Sequence, residues 1–249
     1  MSLYLPYAVV SAPLEPKGRL VFKQYLLLKR SRFGIKLYKL CESSTRYVYR
    51  FYVYVGKDCS FILPESGNLV PPAEFGATEN IVWFLILPLL DQGYRLYVDN
   101  FYKSLPLFRM LYQHDTVACG TIRSNRKGYP KILAQNKQVI GQSSALRAGQ
   151  FLAVRFTDKK DVNMLTTMHS ATCTTVAVRR KTVQTLDKPD CILDYNRKMG
   201  GVDKSDQLLE PYDATRKCMA WYKKLAIHLL QQALLNAQII SHLPMGKTL

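Results

Sequence analysis

The sequence predicts an α/β fold in which a mixed sheet is flanked by helices. Between residues 34 and 122, runs of strand length and of helix length alternate in the order strand, strand, helix, strand, helix, strand. This order is typical of the class. The chain has 249 residues, of which 48% are hydrophobic and 11% aromatic. Such a composition favours a folded protein with a sizeable core over a disordered one.

The first half of this pattern is two strands and a helix. Residues 34–40 and 46–56 are strand-like, and the second run carries Tyr, Val and Phe on both faces, as covered strands do. Prolines and glycines within 57–78 predict a loop. A helix is predicted over 78–91, with Thr78 as its possible cap and a glycine just after its end.

The second half places an acid at the end of a strand. A strand over 94–98 runs straight into Asp99, and a helix over 104–113 and a strand over 117–122 follow. The carboxyl ends of strands are where α/β sheets tend to place their chemistry. Taken alone, Asp99 is equally typical of a strand-to-helix turn.

The composition changes over residues 124–188. Glycines, basic clusters and the β-prone runs 151–156 and 161–167 predict a small β-rich insertion there, and a helical pattern returns at about residue 189. A long amphipathic helix is predicted over 219–241. Its predicted buried positions include Trp221, Leu225, Leu229 and Leu235.

The charge balance indicates a polyanionic partner. Lys and Arg number 35 against 18 Asp and Glu, giving a net charge of +17. Nucleic acid is the commonest partner of so basic a chain, and an anionic membrane is the alternative. No long basic amphipathic helix stands out, and the longest apolar run, 81–90, contains Pro88 and is far too short to span a bilayer. DNA is therefore favoured over a membrane.

One segment concentrates basic and aromatic residues. Residues 17–36 carry seven basic side chains and no acidic one. They are typical either of a solvated strand face or of a surface that follows a phosphate backbone. In the second interpretation Phe22, Tyr25 and Phe33 anchor the segment or stack.

The six cysteines and four histidines are scattered, and no close CxxC pair occurs. A zinc module is therefore not expected, and a reduced intracellular compartment is the simplest interpretation. Residues 1–10 lack the basic start of a secretory signal.

Residues 195–207 carry two carboxylates just after a Gly-Gly pair. If a helix begins near Gly201, the three-residue spacing puts Asp203 and Asp206 on one face near its N-terminus. The helix dipole favours ionised carboxylates there, which suits ligands of a divalent metal. Acidic residues in a first helical turn are also common capping residues.

Six blocks, in this order, resemble the piggyBac family of DNA transposases and their domesticated relatives. They cover residues 17–44, 93–108, 120–131, 158–167, 188–207 and 220–237. The resemblance implies a ribonuclease-H-like core interrupted by an insertion domain, in which three aspartates hold two Mg²⁺ ions that activate water and then a 3′-hydroxyl. It places the second acid at Asp99 and the third at Asp203, with Asp206 as a supporting acid.

The position of the first family acid is the departure. It falls near Val10, and residues 1–16 contain no Asp and only one acid, Glu15. A two-metal site without that ligand holds its ions weakly, so the resemblance implies impaired strand cleavage and weakened Mg²⁺ binding.

These observations predict a DNA-binding remnant of the transposase. Two alternatives stay open: an active transposase with a different upstream start, and a non-enzymatic interaction fragment that exposes a sheet edge after loss of the first strand. The tail carries no cysteine-rich module, so DNA binding without strong sequence preference is expected. We further expect a nuclear location, a possible homodimer and no small-molecule substrate.

The sequence also predicts domain bounds and contact residues. The expected parts are a divergent N-terminus (1–16), a first core part (17–123), the insertion (124–188), a core return (189–241) and a tail (242–249). The basic residues expected to contact DNA are Lys17, Arg19, Lys23, Lys29, Arg30, Arg32, Lys36, Arg123, Arg126 and Lys127.

Overall fold

The structure is a computed structural model, and it describes most of the chain. The described residues are 6–14, 22–25, 33–56, 70–102, 104–179, 183–212 and 220–243. The side chains of 6–14, 33, 178–179 and 183–184 lie outside this description.

A mixed sheet is the frame of the molecule. Its strands run in the spatial order β3, β1, β5, β6, β9, β8, β7, and both β2 and β4 pair with β3. The strands are β1 (Pro6–Leu14), β2 (Gln24–Tyr25), β3 (Phe33–Glu42), β4 (Val48–Val53), β5 (Arg95–Val98), β6 (Val117–Thr121), β7 (Ser143–Ala148), β8 (Phe151–Thr157) and β9 (Asp161–Thr166). A separate antiparallel hairpin is formed by β10 (Cys173–Arg179) and β11 (Val183–Pro189).

The strand β1 lies inside the sheet, not at its edge. It pairs antiparallel with β3 and parallel with β5, and β5 pairs parallel with β6. The expectation that a lost first strand exposes a sheet edge is therefore wrong, because residues 6–14 supply that strand. The sequence pattern does not predict this strand, because it contains Pro6 and Pro13 and proline is depleted in strand interiors.

Helices cover both faces of the sheet. They are α1 (Ala77–Ile86), α2 (Leu105–Gln113), α3 (Lys131–Gln135), α4 (Asp190–Lys198), α5 (Gly201–Leu209) and α6 (Trp221–Ser241). On β5, Leu96 and Val98 pack into the cluster that contains α1 and α2, whereas Tyr97 packs into the cluster that contains α4. This alternation is the two-residue period of a strand covered on both faces.

The predicted core elements are confirmed, with shifted bounds. The helix expected from residue 78 begins at Ala77 with Gly76 as its N-cap, so Thr78 is not the cap; its hydroxyl donates to Glu79 instead. The helix expected near Gly201 begins there. Ser104 caps α2 by accepting a hydrogen bond from the backbone N–H of Leu107 at 3.2 Å.

The region predicted as a β-rich insertion continues the sheet on one side. The strands β7, β8 and β9 pair antiparallel with one another, and β9 pairs with β6 of the core. Arg155 on β8 donates to Asp161 on β9 at 2.7 Å, which ties the two strands together at one end.

Helix α6 shows a polar face to the rest of the molecule. The four positions predicted to be buried are only half-buried, while Lys224 and Gln232 are buried at 4% exposure each. Lys224, His228, Gln232 and Asn236 recur every four residues and so form one polar stripe. The prediction of an apolar buried face on α6 is therefore wrong. No helix among the described residues is both long and apolar enough to span a bilayer.

Candidate functional site

The candidate site starts from Asp99, directly after β5. The parallel register pairs Val98 with Gly120, so Asp99 and Thr121 each follow that pair. Thr121 donates from Oγ1 to Asp99 Oδ1 at 3.2 Å, and the backbone N–H of Asn100 donates to the same oxygen at 2.6 Å. Asp99 is exposed, so its carboxylate is oriented by two donors and open to solvent.

Helix α4 covers the sheet beside Asp99. Tyr195 lies close enough to interact with both Thr121 and Asp99, and burial raises the pKa of its phenol. Tyr97 donates to Asp194 Oδ2, and burial together with this carboxylate raises the pKa of Tyr97. The ring Nε2 of His169 lies 3.2 Å from the same Asp194 oxygen.

Helix α5 carries the other two predicted acids. It packs against β1 and β3, and a Cβ placed on Gly201 would lie 3.2 Å from the Cα of Ser43. The glycine therefore lets the start of α5 approach the end of β3 closely. Asp203 lies in the first turn and is exposed.

Asp206 has a different environment from Asp203. Its Oδ1 accepts from Lys39 Nζ at 2.7 Å, and Lys39 is only 2% exposed. The same Nζ donates to Gln232 Oε1 at 3.0 Å and lies 3.4 Å from His228 Nε2. A buried ammonium thus joins β3, α5 and α6.

Position 10 lies between these two parts. In the antiparallel pair of β1 with β3, Val10 is the partner of Lys39. In the parallel pair of β1 with β5, the last registered pair is Val9 with Val98, and Val10 and Asp99 each follow it. Position 10 therefore stands in one cross-strand row with Lys39 on one side and Asp99 on the other.

The residues present do not fit a complete two-metal site. The position between Asp99 and Lys39 holds a valine, and Asp206 is bonded to an ammonium. Within the part of the chain that the structure describes, no three His, Cys, Asp or Glu side chains are grouped so as to hold a metal ion. Asp99 and Asp203 are the predicted metal ligands that remain, and that role stays a prediction.

Part of the predicted basic surface follows directly on the site. Arg123, Arg126 and Lys127 are exposed in the segment after β6, next to Thr121. Arg126 and Lys127, but not Arg123, line a cavity of about 470 Å³ beside the N-terminus of α2, together with Arg109, Glu74 and Glu79. Because its lining carries both charges, the cavity itself has no clear preference for an anionic ligand.

The predicted contacts in residues 17–36 are described only in part. Lys23 is exposed, and Lys36 lies 4.3 Å from the ring centroid of Phe101, where burial lowers its pKa. Phe22 packs edge-on against Trp221, and Tyr25 is 54% exposed. Lys17, Arg19, Lys29, Arg30, Arg32 and the side chain of Phe33 lie outside the described residues.

Sequence reasoning missed Lys39 and the group of Tyr97, Asp194 and His169. Lys39 sits in a strand next to Tyr38 and Leu40, and the only signal available was a charge within an apolar run. Its partners on α6 are more than 180 residues away along the chain. Local patterns carry no information on such a contact.

The fold and the site together define a protein with a ribonuclease-H-like core, in which an acid follows a central strand and two more lie on a helix against that sheet. The family model described as Transposase IS4 matches residues 7–238. The chain therefore belongs to this transposase family, as a piggyBac-type member.

Two relatives support this assignment. The chain is 25% identical over 195 residues to PiggyBac transposable element-derived protein 2 of Homo sapiens, covering 70% of this chain and 32% of that protein. It also resembles a solved cryo-EM structure of a piggyBac transposase synaptic complex with hairpin DNA, with a TM-score of 0.78 and 25% identity. That likeness covers 95% of this chain and 46% of the solved one. The chain thus spans less than half the length of these relatives.

Proposed function

We propose that this chain is a DNA-binding remnant of a piggyBac-type transposase core in which strand cleavage and transfer are impaired. One observation carries the proposal. Val10 lies near the position where the family resemblance expects the first acid, in the strand directly beside β5, which Asp99 follows.

The loss of that acid has a physical consequence. Two-metal catalysis of phosphodiester cleavage needs carboxylates that hold both ions, so that they stabilise the attacking and the leaving oxygen. A valine offers no oxygen ligand, and Mg²⁺ accepts only oxygen ligands in near-octahedral geometry. Asp99 and Asp203 would then bind Mg²⁺ weakly, with Asp206 as the third acid nearby.

The net charge of this chain and its similarity to a solved transposase–DNA complex support DNA binding. The net charge is +17, and Arg123, Arg126 and Lys127 are exposed beside the site. The solved relative is in complex with hairpin DNA. Such contacts to phosphates carry no sequence information, so binding without strong sequence preference is part of the proposal. A nuclear location is also part of it, because chromosomal DNA would be the partner.

A salt titration tests the DNA interface. We expect binding of duplex DNA to weaken steeply with salt, and changing Arg123, Arg126 and Lys127 to Ala to reduce the log–log slope by about 2–3, since each phosphate contact contributes about 0.9. Fluorescence anisotropy with two unrelated duplexes measures the slope and the sequence preference.

The matched control changes three other exposed lysines, Lys137, Lys159 and Lys160, to Ala. It removes the same charge from lysines that are not among the predicted contact residues, and it should leave most of the slope. Equal losses in both triple variants would show that the interface is net charge alone. Failure of the unchanged chain to bind DNA would overturn the proposal.

A further inference from the structure

We propose that Lys39 supplies a fixed positive charge inside this site, which withdraws Asp206 from metal coordination and holds α5 in place without a metal ion. The inference rests on the proposed function and deepens it. The absence of an acid at position 10 then accounts for only part of the weakened metal binding, and the ammonium of Lys39 accounts for the rest.

The contacts of Lys39 carry the first step. A lysine ammonium has three N–H donors, and the Nζ of Lys39 has three partners: Asp206 at 2.7 Å, Gln232 at 3.0 Å and His228 at 3.4 Å. The residue is 2% exposed, so water does not replace a partner that leaves. Turning Asp206 toward a metal ion would leave a buried ammonium without its counter-charge, which is strongly unfavourable.

The position of Lys39 in the sheet carries the second step. Neighbouring strands lie about 4.8 Å apart, and directly opposed residues share one face of the sheet. Lys39 is opposite position 10, and Asp99 follows the last pair on the other side. A divalent ion bound at Asp99 would therefore stand about two strand spacings from a fixed ammonium, and the two positive charges would repel each other.

A further hydrogen bond links the partner of the ammonium on α6 to α5. Gln232 also donates from Nε2 to Ser205 Oγ at 3.3 Å, and Ser205 is fully buried on α5. Both ends of the Gln232 amide are thus used, one on β3 and one on α5. The ammonium of Lys39 thus supplies the positive charge that holds α5 against the sheet, and no metal ion is needed for that role.

The unchanged chain provides the first test. We expect Asp206→Asn to lower the urea midpoint by the same amount in EDTA and in MgCl₂, so that any small shift that Mg²⁺ causes through Asp99 and Asp203 is the same in both proteins. If MgCl₂ stabilises the unchanged chain and Asp206→Asn removes that stabilisation, Asp206 is a metal ligand and the proposal is overturned.

Restoring the missing acid provides the second test, which does not depend on DNA or cleavage. We expect Val10→Asp with Lys39→Met to bind Mn²⁺, followed by electron paramagnetic resonance, at least about tenfold tighter than Val10→Asp with Lys36→Met, a change of the size that neighbours of metal ligands typically cause. Lys36 is a matched control, because it lies on the same strand and carries the same charge. Its ammonium lies over the ring of Phe101, whereas Asp206 bonds to Lys39. Equal Mn²⁺ affinity in the two double variants overturns the proposal.

The two proposals fail in different ways. Mg²⁺-dependent cleavage of DNA by the unchanged chain contradicts the proposed function whatever Lys39 does. Should the variant with Lys39→Met not fold, the unfolding comparison with Asp206→Asn still decides the role of the ammonium on its own.

Discussion

At the scale of single residues, Lys39 and Asp206 form an ion pair whose members are unequally sheltered. The side chain of Lys39 is 2% exposed and that of Asp206 is 30% exposed. Most of the desolvation therefore falls on the ammonium, and the carboxylate of Asp206 supplies its negative counter-charge. Asp203, three residues earlier on the same helix, is exposed.

This asymmetry predicts different effects for two similar changes on α5. Asp206→Ala should lower the free energy of unfolding by about 3 kcal/mol, because it leaves a buried charge without its partner. Asp203→Ala should change it by no more than about 0.5 kcal/mol, as is usual for exposed positions. Urea unfolding of both variants measures the difference. Equal losses would mean that the pair does not hold α5.

The residues that sequence reasoning found are those with local signals. Asp99 ends an apolar strand, and Asp203 follows two glycines at a helix start. Lys39 has no such signal, because its burial depends on α6, which the sequence cannot bring to β3 by any local rule. Sequence reasoning also placed Asp206 beside the site but could not foresee its bond to an ammonium.

At the scale of elements, the contact between α5 and β3 depends on one glycine. A Cβ on Gly201 would lie 3.2 Å from the backbone of Ser43, which has no flexible end that can move away. At Gly200 the nearest atom is the Cε of Lys204 at 3.6 Å, which is ordinary contact with a flexible side chain. The two glycines are adjacent and differ in what surrounds them.

Alanine at these two glycines should therefore have different consequences. Helix propensity alone would make Gly201→Ala stabilising by about 1 kcal/mol. We expect it instead to destabilise by about 1–3 kcal/mol, because the added methyl forces the helix away from the strand. Gly200→Ala should be tolerated. Thermal unfolding compares the two, and a stabilised Gly201→Ala variant would contradict the close approach.

A second contact between elements ties α4 to the sheet, and it depends on pH because it includes His169. His169 Nδ1 lies 2.8 Å from Thr166 Oγ1, and its Nε2 faces Asp194 of α4. Burial lowers the pKa of His169, the nearby Arg95 lowers it further, and Asp194 opposes both effects. The neutral ring therefore suits this site better than the imidazolium does.

The sign of the pH effect follows from the lowered pKa. Unfolded histidine titrates near about pH 6.5, so between that value and the lower folded pKa the unfolded chain binds more protons. Stability should be full above about pH 6.5 and fall as the pH drops below it. Urea midpoints across this range measure the step, and His169→Gln should remove it.

A separate loss at lower pH belongs to Glu42. Its burial alone would raise the pKa, but hydrogen bonds from Ser44 and Thr45 outweigh this and lower it. The stabilisation from this carboxylate is present above about pH 4.3 and is lost as the pH falls through its lowered pKa.

The step near pH 6.5 is assigned to His169 and not to Glu42. A step near pH 6.5 that persists in His169→Gln would contradict the assignment to His169.

At the scale of the whole molecule, the fold class and the family could be predicted from the sequence, and the order of strands could not. Alternating runs between residues 34 and 122 predicted the core because each element has its own period. The placement of residues 6–14 between β3 and β5 depends on pairing at a distance. So does the extension of the sheet by β9, β8 and β7, which composition alone presented as an insertion.

The central claim is that this core retains its DNA-facing surface while its cleavage site is incomplete. The most direct measurement incubates the purified chain with supercoiled plasmid and Mg²⁺ and follows nicking over time, with Asp99→Ala as the matched control. We expect the two proteins to give the same background rate while the unchanged chain binds the plasmid. Nicking that requires Mg²⁺ and disappears in Asp99→Ala would contradict the claim.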